Sequence, residues 1–187
     1  MTTALAWLAP TAPPPLTRVG EEEHGVRGLG YDGLLAPTPD GTTAAVDLLR
    51  CPEGRAATLR GVLPPGAAVA RASAVWVHTG RLCPRRTEVL VRPGVRVQAA
   101  VVVHRQHLSA GDVVVIGGVR VTTPLRTVVD LLCFGEEAGA VAGTRALLSR
   151  GLAAAAVREA LHRPRRRVPA RRALALLERA ERPGRWP

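Results

Sequence analysis

The chain has 187 residues, a length suited to one domain with or without a tail. No apolar run approaches the roughly 20 residues needed to cross a bilayer, and the opening MTTALAWLAPTAPPP lacks the basic start and long apolar run of an export signal. Cys51, Cys83 and Cys133 are widely spaced with no CxxC among them, which argues against a disulfide frame or zinc site and for reduced thiols in the cytoplasm.

The formal charge is +11, and all 26 basic residues are Arg; Lys and Asn are absent and Ile116 is the sole isoleucine. That pattern reads as the codon bias of a GC-rich genome, so the choice of Arg over Lys says little about function. The distribution says more: residues 1–79 carry net −1, residues 80–130 net +5, residues 131–162 zero and residues 163–187 net +7. Guanidinium groups pair well with phosphate and carboxylate, so an anionic partner would meet the second half of the chain.

In chain order, residues 1–41 are Pro/Gly-rich and read as a loose N-terminal arm, with Leu29, Tyr31, Leu34 and Leu35 available to anchor it. Glu21, Glu22 and Glu23 read as a solvated charge run. Thr42 or Thr43 is positioned to cap a short helix through Arg50, ended by Cys51-Pro52. A second helical piece is expected near Arg55–Val62, and a third over residues 67–78 with Ala70, Ala74 and Val77 on one stripe.

A sheet region follows. Glu88–Val91 and Val95–His104 flank Arg92-Pro93-Gly94, a plausible turn, and the alternation in the longer segment predicts a half-buried antiparallel strand. Asp112–Leu132 is the most informative stretch. Gly117-Gly118 supplies the positive φ angles of a two-residue hairpin turn. Ile116 then faces Val119, and Val114 faces Val121, on one greasy side of the ribbon. Thr123 and Pro124 are the cap and first residue of a helix. Its Leu125, Val128, Val129 and Leu132 form a stripe expected to close over the hairpin, so that ribbon and helix share one dry interior. Helices are expected over 136–150, 153–162 and 170–181. The fold class is therefore α+β: a small, mainly antiparallel sheet of about four strands flanked by helices.

Candidate chemistry centres on His162–Arg172, HRPRRRVPARR, where Arg163, Arg165, Arg166, Arg167, Arg171 and Arg172 crowd a Pro-interrupted link and the first turn of the last helix. Three readings stay open: a solvated linker, a phosphate-neutralising segment, or a docking patch for an acidic protein. Arg171 and Arg172 oppose the macrodipole at a helix N-terminus, a local cost that something else should offset. His104 and His107 lie on opposite faces of a strand and have no acidic or Cys partner nearby in sequence, which disfavours a metal site. Ser73 lies in no G-x-S-x-G turn, and His78 reads as a cap or packed polar group near a helix end. Arg126 and Asp130 are four residues apart, and Asp130 reads as a member of a structural ion pair or as an anchor for nearby backbone N–H groups. There is no phosphate loop or paired-carboxylate arrangement, so no catalytic residue, cofactor or small-molecule substrate is expected. Few aromatic residues are available for base stacking.

The string VRVTTPLRTVVDLL over residues 119–132, behind a short strand pair, resembles the signature of AbiEi-type antitoxins of type IV toxin–antitoxin systems. Residues 67–80 (AAVARASAVWVHTG) are similar to that family's helix with a small-residue run, and LLSRGL (147–152) and RRALALL (171–177) to its closing helices. The resemblance covers roughly residues 45–182 and gives a domain over 42–187 behind the arm at 1–41. It implies binding to a nucleotidyltransferase-type toxin. The family's N-terminal winged helix, used for autorepression, has no counterpart in residues 1–66, which are Pro/Gly-rich and not basic. Some longer proteins with this signature continue into a nuclease-like domain, for which this length leaves no room, so a non-enzyme is expected. The favoured expectation is an antitoxin acting by binding. A DNA-binding transcriptional regulator without a toxin partner is the alternative, and an orphan scaffold the third.

Overall fold

The computed structural model describes residues 33–97, 100–162 and 170–182. A first hairpin joins β1 (Leu35–Pro37) to β2 (Thr43–Ala45), with Leu35 opposite Ala45. The helix expected from Thr42 to Arg50 is absent. Thr42 instead donates its hydroxyl to Asp40 Oδ1 at 2.8 Å, and its N–H reaches the same oxygen at 3.2 Å, so these side chains brace a turn. Only a 3₁₀ turn, Leu48–Arg50, forms before α1 (Pro52–Leu59). Pro52 starts α1, and the Cys51 sulfur accepts from Gly54 N at 3.4 Å.

The stretch expected to be helical from residue 67 is divided. Ala68–Val69 is a strand, β3, and α2 runs Arg71–Thr79, closed by Gly80 in the left-handed conformation. Both β3 residues are fully buried between two neighbouring strands, and that pairing overrides the helix propensity of alanine. Beside β3 lie β4 (Glu88–Val91), β5 (Val102–Arg105), β6 (Val113–Ile116) and β7 (Val119–Thr122), in the order β5-β4-β3-β7-β6.

This five-stranded sheet corrects the expectation of about four, mainly antiparallel strands: it is mixed. β4 pairs parallel with β5, and β3 parallel with β7, while β3–β4 and β6–β7 are antiparallel. The turn at Arg92-Pro93-Gly94 forms, with Gly94 at φ +86°, but does not close a hairpin. The chain instead returns to run beside β4 in the same direction, setting Val103 beside Val89. Alternation in a sequence reports burial of one face and leaves the partner's direction open.

The second hairpin follows the expected register, with Ile116 opposite Val119 and Val114 opposite Val121. Gly117 and Gly118 have φ of +54° and +76°. Thr123 Oγ1 accepts from Arg126 N at 3.3 Å and Pro124 opens α3 (Pro124–Phe134). Then come α4 (Glu137–Leu148), α5 (Ala154–His162) and α6 (Ala170–Glu181).

The shared interior of ribbon and helix is also corrected. Val128, Val129 and Leu132 of α3 pack with Leu147, Val157, Leu161, Leu176 and Leu177 in a helical cluster. Val119 and Val121 pack instead with Ala56, Leu59, Val69, Trp76 and Val77. A third cluster holds Ala67, Val89, Val91 and Val101. The two larger clusters meet at α2, which gives Val75 to the first and Ala74, Trp76 and Val77 to the second. A helix buried on opposite sides has no room for a polar stripe, and α2 accordingly buries Ser73, Ala74, Val75, Trp76 and Val77 in succession. α4 lies close against this layer: a Cβ on Gly143 would stand 2.9 Å from Leu131 Cδ1 and 3.2 Å from Val75 Cγ2.

The hairpin tip is seated just as tightly, because a Cβ on Gly117 would meet Glu53 O at 2.5 Å. Gly117→Ala therefore combines backbone strain with a clash, and a loss of about 1–3 kcal/mol is expected from urea unfolding. Gly61→Ala, which meets nothing within 4 Å, serves as the neutral control.

Candidate functional site

The string VTTPLRTVVD serves to hold the fold together. Arg126, 6% exposed, donates Nε to Asp130 Oδ2 at 2.7 Å, Nη1 to Asp112 Oδ2 at 3.0 Å and His107 O at 3.3 Å, and Nη2 to Gln106 Oε1 at 2.6 Å. One planar guanidinium thus fastens the loop before β6 onto α3. Asp112 also accepts the N–H and Oγ–H of Ser109 at 2.9 and 2.8 Å. Burial would raise its carboxyl pKa, but the Ser109 and Arg126 donors outweigh burial and hold it below the usual range. Thr122 and Thr127 pair their hydroxyls at 2.7 Å. The expected Arg126–Asp130 ion pair is present; its partners across the chain were invisible to a local spacing argument.

Other singled-out residues are structural as well. His78 Nε2 donates to Thr122 O at 2.8 Å, and burial pushes its pKa below the ordinary imidazole value. Ser73 Oγ accepts from Glu88 N at 2.9 Å. His104 Nε2 lies 2.7 Å from Glu88 Oε2, an acidic partner brought alongside by the parallel β4–β5 pairing. His107 contributes its carbonyl to Arg126. Among the described residues no three His, Cys, Asp or Glu side chains gather as a metal site. Cys51 and Cys83 are exposed thiols, and Cys133 is buried.

Of the expected binding arginines, Arg163, Arg165, Arg166 and Arg167 lie outside the described residues. Arg171 and Arg172 are exposed in the first turn of α6. Arg172 reaches Leu132 O at 3.4 Å and Gly135 O at 3.1 Å, so it caps the carboxyl end of α3. That contact with carbonyls at a negative helix pole offsets the cost of placing a cation at α6's own positive pole. Beside it, the Glu136 carboxylate accepts from the N–H groups of Gly139 and Ala138, which lower its pKa.

Two members of this surface were missed from the sequence. Phe134, the last residue of α3, is 44% exposed, and the Arg71 guanidinium stands 5.7 Å from its ring centroid. Arg71 opens α2 with φ +48°, and its Nε is buried with no hydrogen-bond partner among the described residues. Burial lowers its pKa against the opposing influence of Glu88 and Asp130. The only available signals were a lone phenylalanine ending an apolar run and an arginine at a helix start. The carboxyl end of α3 therefore presents an exposed ring beside Arg71, with Arg172 capping the same helix end and Arg171 next to it in the first turn of α6. This surface can grip carboxylates or phosphates and cover a flat apolar group; no nucleophile with an adjoining base is in it. A second basic area lies at the end of β4 and β5, where Arg105 pairs with Val91 and exposed Arg92 follows.

No family model, no curated protein and no solved structure matches the chain.

Arg126→Met would take the Nε–H donor away from the fully buried Asp130 carboxylate and should cost about 3–5 kcal/mol in urea unfolding. Adding Asp130→Leu should recover much of that loss. A single variant as stable as the parent would show that the guanidinium is not the fastening.

Proposed function

We propose that this protein works by binding, as an AbiEi-like antitoxin that neutralises a nucleotidyltransferase-type toxin with an acidic contact surface. One observation carries the reading: every polar residue of the signature string that the resemblance rests on is engaged in fastening the fold, while the arginine-flanked Phe134 at the end of the same helix faces outward. An exposed aromatic ring with guanidinium neighbours is the composition enriched at protein-contact hot spots. The net +7 of residues 163–187 would add electrostatic steering toward an anionic partner.

The second reading, a DNA-binding regulator without a toxin partner, is favoured by Arg92 and Arg105 side by side at one end of the sheet. Backbone binding of that kind fades steeply with salt, because it rests on counterion release.

Co-expression with the product of the adjacent gene distinguishes them. The antitoxin reading expects co-purification and relief of that product's toxicity, with Phe134→Ser/Arg171→Glu weakening the complex at least about tenfold and leaving the unfolding midpoint unchanged. A complex and a rescue indifferent to that double variant would overturn the assigned surface. Absence of any complex, together with an operator gel shift that persists at moderate salt, would favour the regulator.

A further inference from the structure

The two edges of the five-stranded sheet are built differently. β5 carries His104 and Arg105, the polar side chains that ordinarily blunt an edge. β6 reads Val113-Val114-Val115-Ile116: four β-branched aliphatic residues with no charge, proline or bulge. Among the described residues its only strand partner is β7. With Ile116 and Val119 closing a two-residue turn, Val114 and Ile116 exchange their backbone hydrogen bonds with β7. The N–H and C=O of Val115 and the C=O of Val113 consequently point outward, while the Val113 N–H is held by Ala110 O of the preceding 3₁₀ turn. Val115 is 70% exposed and Val114 37%.

We infer that β6 is a self-association edge, which pairs antiparallel with β6 of a second copy to make one continuous ten-stranded sheet. The charges at its ends select that occupant. Arg60, exposed, sits at the hairpin end of β6 and donates Nη2 to Gly117 O at 2.5 Å. Asp112 sits at the opposite end, and every hydrogen bond its carboxylate accepts from described residues goes to Oδ2, leaving Oδ1. Antiparallel pairing sets the Arg60 end of each copy over the Asp112 end of the other, twice about one two-fold axis. Parallel pairing would stack like charges. The outward-facing groups fix the register: Val113 of one copy lies opposite Val115 of the other, and Val114 faces its own equivalent on the axis. Two backbone hydrogen bonds form, each from Val115 N–H of one copy to Val113 O of the other, because Val113 N–H is already held by Ala110 O, and the exposed valines are covered. So short a pairing covers less than the ~800 Å² per partner of a standard interface. Association is accordingly weak, with a Kd on the order of 10–100 µM.

The test is sedimentation equilibrium of the full chain from about 5 to about 500 µM, a range that brackets that affinity. The wild type should pass from monomer to dimer, and Val115→Lys should stay monomeric with an unchanged melting temperature. Register is read by oxidative cross-linking in a Cys51→Ser/Cys83→Ser background. Val114→Cys places two sulfurs across a non-hydrogen-bonded pair whose Cα atoms are about 4.5 Å apart, so it should cross-link rapidly. Arg120→Cys, on the strand behind the edge, should not. A wild type that stays monomeric throughout overturns the inference, as does a dimer indifferent to Val115→Lys. Equal cross-linking of the two cysteine variants overturns the register.

Discussion

Burying a guanidinium is costly unless its donors find acceptors, and the fold is arranged to give Arg126 four hydrogen bonds for its five N–H groups. Its acceptors come from three places: Asp130 one turn along its own helix, Gln106 and His107 just after β5, and Asp112 at the entrance to β6. An apolar side chain could fill the same space but could not hold the loop, because the contacts are directional and reach a backbone carbonyl as well as side chains. The position of α3, and of everything that packs on it, follows from that anchorage.

Around the anchorage, hydrophobic burial supplies the bulk of the stabilisation but is divided among three clusters. Separate clusters in one chain would behave as separate folding units unless some element belonged to more than one. α2 is that element, with Val75 in the helical cluster and Trp76 and Val77 in the strand cluster. His78 extends the link by holding the last carbonyl of β7. Arg55 adds to it: Nε and Nη2 both donate to Val77 O, at 3.0 and 2.8 Å, tying α1 to the end of α2. The polar residues inside are therefore couplers between layers, and the surface keeps the charges that remain.

What could be read in the sequence was whatever local chemistry decides. Gly117-Gly118 dictates its turn, Thr123-Pro124 its helix start, and Ala173, Leu176, Leu177 and Ala180 the buried side of α6, which ends where its periodicity ends. β3 was illegible because two residues carry no period, and its identity comes from neighbours far off in the chain. The direction of β5 was illegible for the same reason. At the candidate surface, charge marked Arg171 and Arg172, but only the packing shows that Arg172 spends its donors on α3 and that Arg71 and Phe134 stand beside it.

The central claim is that sheet and helical bundle form one cooperative body, joined through α2 and Arg126. Native-state hydrogen exchange measures this directly. The amides of Val69 and Val121 in the sheet, and of Leu147 and Leu177 in the bundle, should exchange through a single global opening with one free energy and one denaturant dependence. A distinct, lower-energy opening confined to α4–α6, with the sheet amides still protected, would contradict the account.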